Sequence, residues 1–95
     1  MDIKEFQKLM EQLYFSRDAK RGEEKTLSWL EDEVQELREA LKEGDMKEAE
    51  KESADVLAWL ASLANVVGID LEKAALSKYD NKCPKCKQNP CDCPF

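Results

Sequence analysis

The spacing of the apolar residues is the feature that most constrains how this chain can fold. In its clearest stretch they recur three and four positions apart, at Leu27, Leu30, Val34, Leu37 and Leu41. This spacing places them on one face of an α-helix. The 95 residues include only three Gly and three Pro, so few positions interrupt a helix. We therefore predict an all-α fold of long helices with short connections.

The first part of the chain predicts two helices separated by a polar loop. Asp2 and Glu5 match a capping box at the start of the first helix, and its apolar spacing ends near Tyr14–Phe15. Residues 16–25 are mostly polar and include one Gly, so we predict a loop there. Thr26 is the expected N-cap of the second helix.

The remainder of the helical region predicts two more helices. Gly44 is expected to end the second helix and Gly68 the third, because Gly is the usual residue just after a helix. Asp45 and Asp70 are the expected N-caps of the third and fourth helices, and the fourth gives way to a tail near Asn81. A link as short as Gly44–Asp45 favours antiparallel packing, so we predict an antiparallel bundle of four helices.

The predicted third helix is too apolar for a chain of this size to bury alone. From Ala54 to Ile69 its only charged residue is Asp55, and its only other polar side chains are Ser62 and Asn65. A helix that is apolar on nearly all sides is buried on nearly all sides, which a small bundle does not achieve by itself. We predict a helical domain over residues 1–82 that forms a homo-oligomer, a dimer or a tetramer, through its central helices.

Composition argues against several classes of function. The net charge of −6 disfavours nucleic acid and anionic membranes as partners, since both require a basic surface. The chain has no His, which removes Ser-His-Asp, Cys-His and HExxH catalysis. It has no apolar run of about 18 residues, the length of a spanning helix, and its first residues lack the apolar core of a signal peptide. We therefore expect a cytoplasmic location.

Four carboxylates on the second and third helices form the candidate functional site. Glu33 and Glu36, and likewise Glu52 and Asp55, are three positions apart, so each pair lies on adjacent turns of one helix face. Projection at about 100° per residue places three of them in or beside the apolar face and Glu36 at its rim. Carboxylates buried without a cation cost several kcal/mol, and oxygen ligands without imidazole favour Mg²⁺ or Mn²⁺. The alternative is that all four lie on the surface of amphipathic helices, where acidic pairs are common.

The two acidic segments resemble a known signature. DEVQEL at residues 32–37 and ESAD at residues 52–55 are similar to the EExxE and ExxD motifs of the MazG-type nucleotide pyrophosphohydrolases, and the resemblance extends from Arg17 to about Lys82. Asp32 departs from the signature, which has Glu at that position. The resemblance implies an all-α bundle that hydrolyses a nucleoside triphosphate to the monophosphate and pyrophosphate, with the four carboxylates as metal ligands.

The resemblance also implies a mechanism and substrate contacts. Mg²⁺ would neutralise the phosphates and lower the pKa of a bound water that attacks the α-phosphorus, with Glu36 as the candidate proton acceptor. Lys20, Arg21 and Lys78 are candidates for binding phosphate, with a solvated surface position as the alternative for each. Asn65 is a candidate for contacting the base or sugar, or for satisfying a backbone group in the core. The two Trp residues are expected in the core rather than stacked on a base.

The C-terminal tail, residues 83–95, contains every cysteine of the chain. They follow the pattern C-x2-C-x4-C-x-C, at Cys83, Cys86, Cys91 and Cys93. Four cysteines that begin with a CxxC pair favour a structural Zn²⁺ site in a cytoplasmic protein, although this loop is shorter than usual zinc spacings. Two local disulfides and a free tail are the alternatives.

A function of a different class is compatible with the same sequence. In this alternative the chain is a helical oligomerisation or adaptor module without catalytic activity. The apolar third helix is then a groove for a partner, and the tail is a zinc-stapled interaction tag.

Overall fold

The structure, a computed structural model, describes residues 1–94. That part of the chain contains four α-helices and no strand: α1 (Ile3–Arg21), α2 (Glu23–Glu43), α3 (Met46–Val67) and α4 (Leu71–Lys78). The predicted all-α fold class and the number of helices are therefore confirmed.

The loop predicted over residues 16–25 is wrong. The first helix continues to Arg21, the second begins at Glu23, and Gly22 alone separates them. Gly22 has φ 85° and ψ 168°, a region of backbone conformation open essentially only to Gly. Polar composition was a poor indicator of a loop here, because the segment contains no Pro and no other Gly and most of its residues tolerate a helix well.

The prediction of Thr26 as an N-cap is also wrong. Thr26 lies inside the first turn of α2 and is fully buried. Its hydroxyl Oγ1 and its backbone N–H both donate to the carbonyl oxygen of Gly22, at 2.7 and 3.1 Å. Because the hydroxyl is satisfied by the carbonyl four residues earlier, this polar side chain can be buried where the chain turns from α1 into α2.

The other predicted helix ends are confirmed. Asp2 forms a capping box with Glu5 at the start of α1. Gly44 and Gly68 end α2 and α3 in the left-handed conformation, which Gly adopts without steric penalty. The side chain of Asp45 accepts a hydrogen bond from a backbone N–H in the first turn of α3. Capping residues therefore located the Gly44–Asp45 turn correctly from local chemistry alone.

The third helix is at the centre of the packing, since its contacts with α2 and with α1 are the most extensive between helices. The buried apolar core consists largely of alanines, with Ala40 on α2, Ala49, Ala61 and Ala64 on α3, and Met10 on α1. The distance between packed helices depends on the side chains at the contact, so these small residues let the helices approach closely.

Hydrogen bonds between side chains and backbone join α1 to the end of α3. Gln7 Nε2 donates to Asn65 Oδ1 at 2.9 Å and to the carbonyl oxygen of Ile69 at 2.7 Å. Asn65 Nδ2 donates to the Gln7 carbonyl oxygen at 3.1 Å, and Gln7 Oε1 accepts from the Leu71 N–H at 3.0 Å. Asn65 thus satisfies the backbone carbonyl of Gln7. This is the structural role that the sequence offered as the alternative to contacting a base or sugar.

A single chain leaves much of its apolar surface uncovered. On α3, 47% of Leu57 and 39% of both Leu60 and Val67 are exposed. On α1, Leu13 and Phe15 are exposed as well. The helices of its own chain therefore bury only part of the apolar half of α3. The oligomer prediction was based on this incomplete burial.

Among residues 1–94, no single helix has both the length and the apolar composition needed to cross a membrane. Helices α3 and α4 meet those criteria only as a pair, across a bend of 101°.

Candidate functional site

Three of the four predicted carboxylates converge between α2 and α3. Glu33 and Glu36 come from α2 and Glu52 comes from α3, and one carboxylate oxygen of each lies within 4.8 Å of the other two. Glu33 and Glu52 are partly buried and Glu36 is exposed. We call these three residues the carboxylate cluster. The two glutamates of α2 meet because residues three apart share a helix face, whereas Glu52 joins them through the packing of α3 against α2.

Asp55 lies outside this cluster and is exposed. Its negative charge nevertheless contributes to raising the pKa of Glu33, so it lies within electrostatic range of the cluster. On sequence alone Asp55 stood out as the only charge in an apolar helical segment. In the structure, Glu33 and Glu52 are more informative than Asp55, because their carboxylates contain the buried oxygens.

The cluster is electrostatically unfavourable without a cation. Burial, followed by the hydrogen bond and the charge of Glu36, raises the pKa of Glu33 to about 7. Burial and then Glu36 also raise the pKa of Glu52. Among the described residues, Glu33 Oε2 and Glu52 Oε2 are buried without a hydrogen-bond partner. Buried polar atoms normally have a partner, and a bound cation would supply one for these two oxygens.

The donor set fits a hard divalent cation. Its ligand atoms are carboxylate oxygens, which Mg²⁺ and Mn²⁺ prefer. Ligands at about 2.1 Å from an octahedral Mg²⁺ lie at most about 4 Å from each other, close to the separations within the cluster. The three residues present can therefore hold such an ion with small side-chain movements.

A cavity of about 310 Å³ begins beside the cluster, at Asp55. Its walls include Trp29 of α2 and Trp59 of α3, whose ring centroids are 5.0 Å apart at an angle of 64°. The Arg21 guanidinium lies 4.7 Å from one ring centroid and 4.8 Å from the other. Such distances allow a cation–π interaction with both rings. The two Trp side chains thus form an aromatic wall occupied by one guanidinium.

A buried aspartate completes this wall. Asp18 is only 2% exposed, and its Oδ1 accepts a hydrogen bond from Arg21 Nη1 at 2.7 Å. Its Oδ2 has no hydrogen-bond partner among the described residues. The sequence placed Asp18 within the region of family resemblance but gave it no role in the site, because residues 16–25 were predicted to form a loop. The signal was present, since Asp18 and Arg21 have the spacing of a helical ion pair.

The four predicted substrate contacts are in different environments. Arg21 lines the cavity and is paired with Asp18. Lys20 is exposed on the last turn of α1, and Lys78 ends α4 with its Nζ 5.9 Å from the Tyr79 ring centroid. Asn65 is hydrogen-bonded to α1, as described above. The structure thus brings only Arg21 of these four to the cavity beside Asp55.

The four cysteines of the tail also converge. Their sulfur atoms all lie within 4.8 Å of one another, and all four cysteines are free thiols. The Sγ atoms of Cys83 and Cys93 are 3.7 Å apart, and those of Cys86 and Cys91 are 3.9 Å apart. We call this the sulfur cluster. The structure therefore contains neither of the local disulfides that the sequence left open.

The thiols of the sulfur cluster perturb one another and interact with the backbone. A backbone N–H, chiefly that of Cys86, lowers the pKa of Cys83. The N–H of Asp92 is the largest cause that lowers the pKa of Cys86 to about 6. Contact with the sulfur of Cys91, and then with the other two, raises the pKa of Cys93 to about 11. Nearby backbone donors thus favour thiolate at two positions, while crowded sulfurs oppose it at a third.

Comparison with known families identifies the family of this chain. A family model described as the MazG nucleotide pyrophosphohydrolase domain matches residues 21–87, more than two thirds of the chain. The chain belongs to this family. The matched region contains the whole carboxylate cluster. The resemblance to the MazG family that the two acidic motifs indicated is therefore confirmed. Asp18 and the last two cysteines lie outside the matched region. A search of curated proteins found no match.

Proposed function

We propose that this MazG-family chain is a metal-dependent pyrophosphohydrolase that converts a nucleoside triphosphate to the monophosphate and pyrophosphate. The observation that carries the proposal is the carboxylate cluster with its two unpartnered buried oxygens. A family match indicates a general activity, whereas the function has to be argued from the site itself. Here both lead to the same chemistry, since phosphoryl groups are commonly bound through divalent metals.

Glu33, Glu36 and Glu52 are the proposed ligands of Mg²⁺, with Asp55 as the fourth acidic residue and Mn²⁺ as an alternative ion. Bound Mg²⁺ would screen the phosphate charges and make a water molecule more acidic. The protein's part is to hold three carboxylates close together despite their repulsion. Packing of α2 against α3 does this, and the raised pKa of Glu33 reflects the repulsion that a cation would relieve.

Glu36 is the proposed proton acceptor. It is the exposed member of the cluster, so its carboxylate can reach a water molecule at the solvent side. The water oxygen attacks the α-phosphorus, the bond from that phosphorus to the bridging oxygen breaks, and pyrophosphate leaves with the bonding electrons. The proton of the water passes to Glu36, which completes the hydrolysis without a His or Cys nucleophile.

The cavity beside Asp55 is the proposed place for the nucleoside. Its volume of about 310 Å³ suits a base and part of a sugar. Stacking of a base on Trp29 or Trp59 would require the Arg21 guanidinium to move off these rings. Arg21 is retained as a candidate phosphate contact because it lines this cavity. Lys20, Lys78 and Asn65 stay predictions without further geometric support.

A homo-oligomer of antiparallel bundles is the proposed assembly, either a dimer or a tetramer. It rests on the exposed apolar side chains of α3, Leu57, Leu60 and Val67, since scattered apolar residues are ordinary on a surface but a contiguous helix face marks an interface. Light scattering coupled to size exclusion would measure the mass. A monomer at micromolar concentration would contradict this part of the proposal.

The activity is tested by pyrophosphate release from a panel of ribo- and deoxyribonucleoside triphosphates with Mg²⁺, Mn²⁺ or EDTA. Glu52→Gln removes one proposed ligand, and we expect a loss of roughly 100-fold in kcat/KM. Glu50→Gln is the matched control, because Glu50 is an exposed neighbour on the same helix. Equal pyrophosphate release by Glu52→Gln and the wild type would refute the proposal. An adaptor module, the alternative, predicts no release and no Mg²⁺-dependent rise in melting temperature.

A further inference from the structure

The sulfur cluster is a second set of ligand atoms that hydrolysis does not use. In a tetrahedral Zn²⁺ site with four thiolates the Zn–S distance is about 2.3 Å, which places the sulfurs about 3.8 Å apart. The two sulfur pairs of this chain, Cys83 with Cys93 and Cys86 with Cys91, are 3.7 and 3.9 Å apart. All six separations are within 4.8 Å. Two of the six separations therefore match the edge length of a zinc-centred tetrahedron, and the other four exceed it by at most about 1 Å.

Backbone hydrogen bonds hold the sulfurs in this arrangement. The N–H of Asp92 donates to Cys86 Sγ at 3.3 Å, and the N–H of Cys93 donates to Cys91 Sγ at 3.3 Å. The backbone N–H groups of Cys86 and Lys85 lower the pKa of Cys83. Donors around a thiolate stabilise its negative charge and fix its orientation, which is the usual role of the groups that surround metal ligands.

The turn after the first CxxC pair supports the same site. The Cys83 N–H donates to the Gln88 carbonyl oxygen at 3.0 Å, and the Lys87 N–H donates to the Cys83 carbonyl oxygen at 2.9 Å. Lys87 has φ 64°, a left-handed conformation that is uncommon for a residue other than Gly. A non-Gly residue held there shows that the surrounding hydrogen bonds define the turn closely.

The sulfur cluster is attached to the helical domain through the end of α4. Asn89 Nδ2 donates to the Asn81 carbonyl oxygen at 2.7 Å, which ties the second half of the tail to the segment that follows α4. Two of the four cysteines lie beyond the region matched by the MazG family. The sulfur cluster thus extends past the end of the family match, and its residues are distinct from those of the carboxylate cluster.

We propose that Cys83, Cys86, Cys91 and Cys93 bind one structural Zn²⁺ ion. Four protein ligands close the coordination shell, which is the pattern of structural rather than catalytic zinc. Binding exchanges protons for the metal, since each coordinated thiol becomes a thiolate and releases its proton. The ion holds residues 83–93 folded on the end of α4, and this role is independent of the proposed hydrolysis.

Metal content of the full-length chain tests the site. Protein expressed with added zinc and purified without chelator is expected to contain one zinc per chain by plasma mass spectrometry. Cys91→Ser is expected to lose it, and Asp92→Asn, which alters the neighbouring side chain but not its backbone N–H, is expected to retain it. Replacement by Co²⁺ should give the visible d–d and thiolate-to-metal absorption of a tetrahedral sulfur site.

Several results would overturn the proposal. Chains without zinc, full zinc content in Cys91→Ser, or iron in its place would each contradict it, as would loss of titratable thiols through disulfide formation in the wild type. If Cys91→Ser does not fold, stoichiometric zinc release from the wild type on modification of its thiols provides the same test. Pyrophosphate release is measured on the same samples, and Glu52→Gln is expected to lose it while it retains zinc, so the two proposals can fail separately.

Discussion

Replacing Glu36 by Gln should have opposite effects on stability without metal and with it. The substitution keeps the size of the side chain and removes one charge from the carboxylate cluster. Without metal, Glu36 raises the pKa of Glu33 through both a hydrogen bond and its charge, after the larger effect of burial. It also raises the pKa of Glu52. The variant therefore relieves repulsion in the metal-free protein and removes a ligand from the metal-bound protein.

The size of the stability change in metal-free Glu36→Gln follows from the pKa of Glu33. Its pKa rises from an ordinary 4.5 to about 7 in the folded chain, a difference that corresponds to about 3 kcal/mol at most. Burial accounts for the largest part and is unaffected by the substitution, and solvent screens a partly exposed carboxylate. We expect metal-free Glu36→Gln to be more stable than the wild type by about 1 kcal/mol at pH 8. For a domain of this size that corresponds to a melting temperature higher by roughly 4–8 °C.

The sign of the pH dependence follows from the same shift. Because the pKa of Glu33 is higher in the folded than in the unfolded chain, its contribution favours folding most below about pH 4.5. That contribution is lost as the pH rises through about 7. The advantage of metal-free Glu36→Gln should therefore be small at pH 5 and full at pH 8.

Thermal melts at pH 5 and pH 8, in EDTA and in Mg²⁺, measure all of these effects. Saturating Mg²⁺ should raise the melting temperature of the wild type at pH 8, since it binds only the folded state, and should raise that of Glu36→Gln much less. Glu39→Gln, an exposed change one turn further along α2, should match the wild type in every condition. Destabilisation of metal-free Glu36→Gln at pH 8, or an undiminished response to Mg²⁺, would refute the reasoning.

Three further predictions concern the rest of the chain. Arg21→Ala should lower the free energy of unfolding in urea by about 3 kcal/mol, because it leaves buried Asp18 unpaired. Exposed Lys20→Ala should change this free energy by less than about 0.5 kcal/mol. Equal effects of the two substitutions would contradict the pairing of Arg21 with Asp18. Gly22→Ala should cost about 2 kcal/mol in the same assay, since its φ of 85° with ψ of 168° disfavours any side chain. Lys87→Gly should tighten Zn²⁺ binding about threefold in a chelator competition, because Gly adopts φ 64° without steric penalty. Weaker binding by this variant would show that backbone strain at residue 87 does not limit the affinity for Zn²⁺.

Capping chemistry and apolar spacing predicted most of the fold because both act over one or two helical turns. Asp2, Gly44 and Asp45 marked their helix ends correctly. The failure at residues 16–25 has an identifiable cause, since a polar helix and a polar loop have similar composition. Contacts that stabilise this part of the helix come from distant residues, as Arg21 illustrates by packing against two Trp rings.

The sequence predicted which residues form the candidate site better than it predicted how they are arranged. Glu33 and Glu36 had to lie together, since spacing of three on a helix fixes their relative position. That Glu52 would join them while Asp55 stayed exposed depended on how α3 rotates against α2, and a shift of one residue turns a helical side chain by about 100°. The role of Asp18 was missed because its pairing with Arg21 requires a helix where a loop was predicted, and because its burial depends on how α1 packs.

The sequence by itself therefore determined the helices, the acidic pairs and the cysteine spacing, because each depends on residues close together along the chain. Only the tertiary structure decided which carboxylates converge, which oxygens are buried without partners, and how Arg21 comes to lie against both Trp29 and Trp59. These arrangements depend on the packing of alanine-lined helix faces against one another. Rotation and distance between helices are set jointly by all the contacting side chains, so no local pattern encodes them.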